Sequence, residues 1–270
     1  MNPRVIILTS TFRRHHFLCR YLAARLSVVG VWQEEKSFKP TSYANGPGDA
    51  DIIRRHFLAR DDAEAHDFSD IGFTVEIDPQ SCRQVLVGGL NDPNEVTRMV
   101  AMEPDVVVVF GTGILKGDIL SRFEGQLLNI HLGLSPYYRG AGTNFWPLVN
   151  GEPEFVGATI HYLDSGIDTG PIISHVRPDI DRADGPHELG NKAIYAAAEG
   201  MVKAVKAHHR GRLRSHPQTW KGRLYQRKDF NAEAVRQLYE RFDQGILGNY
   251  LDVKQARDER ISLVSLEEEK

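Results

Sequence analysis

Residues 105–111 read DVVVVFG: a single charge, five apolar residues and a glycine. Side chains of a β-strand alternate between two faces, so a run that is apolar at every position must be covered on both. That marks a central strand of a parallel sheet flanked by helices. Working outward, RVIILTS (4–10), VVGVW (28–32), FTVEI (73–77) and QLLNIH (126–131) read as companion strands. Helical spacing appears between them. FRRHHFLCRYLAARL (12–26) places Phe17, Leu18, Tyr21, Leu22 and Leu26 on one side, and residues 50–67 read as an inserted helix. NDPNEVTRMVAME (91–103) opens on a capping Asn or Asp before Pro93, and ILKGDILSRF is a short helix. Strands alternating with helices predict a doubly wound, Rossmann-like α/β fold with a mostly parallel sheet.

Past residue 150 the pattern changes. VGATIHYLD (156–164) and PIISHVRPDI (171–180) flank the turn-rich SGIDTG, which predicts an antiparallel extension. Residues 184–211 predict a long helix, capped at Asp184, cationic in its last turn and closed by Gly211. WKGRLYQRKDF then reads as strand or loop and AEAVRQLYERFDQGILGNYL as a final helix. The expected organisation is a catalytic domain over 1–211, with a helical insertion at about 35–70, and a C-terminal appendage over 212–270.

Composition narrows the classes. Apolar residues make up 41% and charged residues 26% of the 270, as in ordinary globular proteins. A net charge of −3 argues against a nucleic-acid partner. Apolar runs fall short of the roughly 18 residues of a membrane span, and MNPRVIILTSTFRRHH lacks the form of a signal peptide. Cys19 and Cys82 show no metal or disulfide spacing, which points to a reducing cytoplasm. His15–His16 and His208–His209 are adjacent pairs that diverge on a helix, so no metal is expected.

Chemistry concentrates in NIHLGLSPYYRG (129–140). Asn129 and His131, two apart at the carboxyl end of a strand, project to the same face, where open α/β sheets place their ligand crevice. Both can donate hydrogen bonds to an oxygen that becomes negative during acyl transfer. Asp168, in the glycine-flanked LDSGIDTGP, could orient the imidazole and relay a proton, with Arg139 on the loop between. A plainer reading remains open, since Asn and Asp in turns commonly serve turn geometry. No Ser or Cys has a nucleophile-elbow context, so direct attack by a substrate amine fits better than an acyl-enzyme.

These segments, with Trp146 and Gly151, GATIHYLDSGIDTGPII (157–173) and DVVVVFGTGIL, resemble the formyltransferase family that uses 10-formyltetrahydrofolate. The resemblance spans roughly residues 70–210, and Ser135 departs from its commoner L-L-P. It implies that Asn129, His131 and Asp168 are catalytic. It also implies that Gly113, Ile114 and Leu115 hold the folate, with the loop through Asp164 and Ile167 closing the other side.

The acceptor is argued from departures. LTSTFRRHH has no glycine where the purine-pathway branch, acting on glycinamide ribonucleotide, wraps a phosphate. The tRNA branch carries a C-terminal barrel, whereas the tail here is short and acidic. The amino-sugar branch, acting on nucleoside-diphosphate sugars for surface polysaccharides, fits best. Arg13, Arg14 and Arg139 are expected on the diphosphate, and Tyr225 on a nucleobase or in the core. A hydroxylamine acceptor, or a non-catalytic folate or nucleotide binder on this fold, stays open. The C-terminal helix AEAVRQLYERF is expected to be exposed and able to pair two subunits.

Overall fold

The computed structural model describes residues 2–36, 40–44, 46–69 and 77–266. The chain runs β1 (Arg4–Ser10), α1 (Arg13–Ala23), β2 (Ser27–Glu34), α2 (Pro47–Ser69), β3 (Cys82–Val85), α3 (Pro93–Val100) and β4 (Val106–Phe110). It continues through α4 (Asp118–Arg122), β5 (Leu127–Leu132), β6 (Tyr138–Gly140), α5 (Phe145–Val149), β7 (Ala158–Tyr162) and β8 (Ile172–Val176). Then follow α6 (Pro186–His209), β9 (Arg223–Tyr225), α7 (Ala232–Asp243), α8 (Ile246–Asp252) and α9 (Lys254–Asp258).

Seven strands form one sheet in the order β3-β2-β1-β4-β5-β7-β8. The first four pairings are parallel, and β7 and β8 extend the sheet antiparallel. Every residue of β4 is buried, as its unbroken apolar run requires. Alternation divides the core. Val5, Ile7, Val106 and Val108 meet Phe17, Leu18 and Leu22 of α1 and Ala197, Met201 and Val205 of α6. Ile6, Leu8, Val107 and Val109 meet Val96 and Met99 of α3 and Ile119 of α4. Fully burying one such large aliphatic side chain contributes about 1.5–3 kcal/mol, so this two-faced packing fixes the register of the strand ends that carry the site.

One expectation falls largely outside the described residues and two are corrected. The edge strand is Cys82–Val85; residues 73–76 of FTVEI lie outside the described residues, and Ile77 is not in a strand. The long helix is capped by Gly185, not Asp184. Pro186 at the first helical position drives the residue before it into extended backbone, and Asp184 instead accepts from Lys192 Nζ at 2.8 Å. The final helix is two, because Gly245 adopts φ +71° between α7 and α8 and a left-handed residue cannot continue a right-handed turn.

Residues beyond α6 close over the site. β9 pairs parallel with β6, and Ala234, Leu238, Ile246 and Leu247 share a core with Tyr138, Trp146 and Leu189. The apolar face of AEAVRQLYERF is therefore covered within the protomer rather than exposed. Among the described residues no helix is long and apolar enough to cross a membrane.

Candidate active site

Asn129 and His131 meet Asp168 and His161 at the carboxyl end of β5. His131 is 6% exposed and has an acceptor on each side of its ring. Nε2 lies 2.9 Å from the Tyr138 carbonyl and Nδ1 3.3 Å from Asp168 Oδ1. A carbonyl oxygen only accepts, so Nε2 carries a hydrogen; donating to Asp168 as well takes the imidazolium. His161 is differently placed. Its Nδ1 donates to the Tyr162 carbonyl at 2.8 Å, leaving Nε2 to accept from Asn129 Nδ2 at 2.9 Å. Burial pushes its pKa down, against smaller opposing effects of that carbonyl and of Asp168. A neutral imidazole of fixed tautomer thus orients the Asn129 amide and leaves one amide hydrogen for a ligand.

Asp168 is held from several directions. Its backbone is left-handed at φ +51°, an uncommon conformation that Asp tolerates better than most. Oδ2 accepts from the Gly140 N–H at 2.9 Å. Gln218 Nε2 reaches the carbonyls of Asp168 and Gly170, each at 2.9 Å. Gly140 has to be glycine: at φ +90°, a Cβ would stand 2.1 Å from the Tyr225 carbonyl of β9. Asp164 closes the same loop by accepting from the Gly166 N–H and Thr169 Oγ1, at 3.0 and 2.8 Å, while Ile167 is exposed at the tip.

The turn expected to hold a folate follows β4 directly. Gly111, at φ +67°, lies against the buried ring of His15, whose Cε1 would be 2.3 Å from a Cβ. The Gly113 N–H donates to Glu34 Oε2. Asn91 clamps the turn, donating to the Ile114 carbonyl at 3.0 Å and accepting from the Lys116 N–H at 2.8 Å. Ile114 is 72% exposed, but Leu115 is buried in the core and offers a ligand only its main chain. Leu86 and Val87, also largely exposed, lie on the loop whose Gly88 N–H is held by the same Glu34 carboxylate. An apolar rim beside a polar cluster suits a flat ring system with a reactive polar end.

The expected substrate residues fare unevenly. Arg13 is exposed. Arg14 is bound by the buried Glu64 of α2 and stands over the Phe12 ring, so it is not open to a ligand. Arg139 is 7% exposed, and its Nη2 donates to the Ile167 carbonyl at 2.8 Å; it supports the loop instead of projecting from it. Tyr225 stacks on Trp146 at 4.5 Å and 11°, with its hydroxyl accepting from Asn150. Of the two roles considered for it, that packing favours the core. Sequence reasoning missed His161 and Glu34. The signal for His161 is its position directly opposite Asn129 in the β5–β7 ladder. Among the described residues no group of three or more His, Cys, Asp or Glu gathers as a metal site.

Residues 80–205 match the family model described as formyl transferase. Methionyl-tRNA formyltransferase of Thermodesulfovibrio yellowstonii is 31% identical over 131 residues, covering 48% of this chain and 42% of that protein. The protein of the same name from Roseiflexus sp. is 34% identical over 132 residues, covering 48% and 40%. The chain spans less than half the length of these curated relatives. Among solved structures, a sugar N-formyltransferase from Shewanella sp. superposes with a TM-score of 0.55 at 17% identity, over 84% of this chain and 78% of that one. Phosphoribosylglycinamide formyltransferase from Anaplasma phagocytophilum gives 0.54 at 16%, over 84% and 100%. At such identities the likeness is one of fold.

Proposed function

We propose that this chain, a member of the formyl transferase family by the match over residues 80–205, moves a formyl group from 10-formyltetrahydrofolate to the amine of a nucleoside-diphosphate amino sugar. The convergence of Asn129, His131 and Asp168 at the end of β5 carries the reading. The donor supplies the formyl carbon and takes back the electron pair of its breaking C–N bond. Asn129 offers its free amide hydrogen to the carbonyl oxygen as the acceptor amine attacks. The 3.3 Å gap between His131 Nδ1 and Asp168 exceeds the roughly 2.7–2.9 Å of a tight charge-assisted bond. The Nδ1 proton can therefore also serve an oxygen developing beside it. Asp168 holds the His131 ring in place and accepts the proton that the amine loses, which then passes to the departing folate nitrogen.

The acceptor is argued from the strand ends. The first βα turn is filled: Thr9 Oγ1 bonds to the buried His15 Nδ1 at 2.7 Å and to the Phe110 carbonyl at 2.9 Å. Such a turn is ill suited to wrapping a phosphomonoester. Cations gather nearby instead. Lys36, just past β2, has its pKa lowered to about 8, first by burial and then by Arg227 and Arg14, against a smaller opposing effect of Glu34. With the exposed Arg13, Lys36 and Arg227 would meet a spread diphosphate.

A tRNA acceptor is the second reading, favoured by the names of the curated relatives. Purified protein with 10-formyltetrahydrofolate is offered nucleoside-diphosphate amino sugars, methionyl-tRNA, glycinamide ribonucleotide and simple hydroxylamines in parallel. A mass gain of one formyl group on the sugar amine is expected. Transfer to another acceptor alone would reassign the substrate, and no transfer to any would refute the activity.

A further inference from the structure

Glu34 ends β2 and is 2% exposed, and its carboxylate meets two main-chain N–H groups and, among the described residues, no ion-pair partner. Oε1 accepts from Gly88, in the loop after β3, at 2.7 Å; Oε2 accepts from Gly113, in the turn after β4, at 2.5 Å. In the order β3-β2-β1-β4, this carboxylate reaches across the end of β1 to join two loops that are not sheet neighbours. Its backbone is anchored too, since the Glu34 carbonyl accepts from Ser10 Oγ at 3.0 Å. In dinucleotide-binding sheets an acid in this region binds a ribose hydroxyl. Here both oxygens already have partners within the fold, and the two loops they join carry the exposed Leu86, Val87 and Ile114.

We infer that Glu34 is a positioning residue for the formyl donor, its carboxylate locking the 86–88 loop and the 111–115 turn into one apolar rim against which the folate ring system packs. The inference rests on the formyl-transfer reading and deepens it. Asn91, three residues past Gly88, adds a neutral clamp to Ile114 and Lys116. Glu34 adds charge, and hydrogen bonds to a charged group are the stronger kind. A glutamine has the same shape but one acceptor and one donor, so one glycine N–H would then face an NH₂ group.

The test uses the full-length wild type, Glu34→Gln and Glu34→Asp. KM is measured for donor and acceptor separately, and 5-formyltetrahydrofolate binding by calorimetry. Glu34→Gln is expected to raise the donor KM and the folate Kd by about ten- to a hundredfold, the worth of one charge-assisted hydrogen bond. The acceptor KM, and kcat at saturating donor, should stay unchanged. Glu34→Asp keeps the charge but is one methylene too short to hold both glycines, so a smaller rise of the same selectivity is expected. It also carries the test if the glutamine variant fails to fold. Wild-type folate affinity in the folded variants, or a parallel rise in both KM values, would overturn the inference while leaving formyl transfer intact. A wild type that binds no reduced folate would overturn both.

Discussion

In the mechanism proposed above, His131 and Asp168 have separate tasks that a point substitution can tell apart. Asn tolerates left-handed backbone as Asp does, so Asp168→Asn should keep the loop and the Gly140 contact while removing the charge opposite Nδ1. We expect kcat to fall on the order of 100- to 1000-fold for Asn129→Ala and His131→Ala, the usual cost of losing an oxyanion donor, and comparably for Asp168→Asn. Near-normal turnover in a folded variant would remove that residue from the mechanism. Arg139→Lys replaces a fork with a point charge and loses the bond to the Ile167 carbonyl. About a tenfold lower kcat with an unchanged acceptor KM is expected, in line with one charge-assisted bond. A raised acceptor KM at normal kcat would instead make Arg139 a substrate contact. That Asn129, His131 and Asp168 lie together could be anticipated from a local cue, a two-residue strand spacing and a glycine-flanked loop, while the catalytic role came only from the family resemblance. His161 could not, since facing Asn129 depends on the antiparallel register of β5 and β7. The burial of Arg139 could not be read either, because a guanidinium on a loop reads as exposed until the loop folds over it.

Helices show the same division between local and distant causes. α1 follows from its spacing, α3 from its Asp92 cap and α6 from its alanine-rich run closed by Gly211, and α2 occupies 47–69 where an inserted helix was expected over 50–67. Where α2 docks was not legible, because its apolar residues form no clean stripe. It is joined to its neighbours partly by histidines. His56 lies 4.7 Å from the ring of His187 of α6, and both face the Tyr239 hydroxyl of α7 at 3.3 Å. Burial, then mutual and Arg60 repulsion, lowers His56 to about 3. Burial lowers His187 and His175 to about 4. An unfolded chain takes up these protons near pH 6.5, well before the folded one. Stability is therefore full above about pH 6.5 and is lost as pH falls toward 4, at about 1.4 kcal/mol per pH unit for each group. Urea midpoints should drop steeply between pH 7 and 4.5, and less so in His56→Phe/His187→Leu. Equal slopes in the two proteins would clear this pair of the effect.

On the scale of the whole chain, the segment after α6 belongs to the site's architecture. β9 secures β6, Arg223 bonds to Tyr138 and Glu152, and Gln218 braces the Asp168 loop. Gly140→Ala would force a Cβ against the β9 backbone, and we expect it to abolish turnover while the seven-stranded sheet persists by circular dichroism. Full activity in that variant would refute the coupling. None of this was legible before the structure, because YRG (138–140) and RLY (223–225) are three-residue strands with no periodicity of their own.

The β6–β9 ladder is parallel and joins residues on either side of the whole antiparallel extension and the long helix. During synthesis, every strand of the large sheet can therefore clear the ribosome before the clasp on Gly140 exists. On the reading proposed above, catalytic competence would wait for β9 to emerge, and a chain cut short between α6 and β9 should be silent rather than partly active.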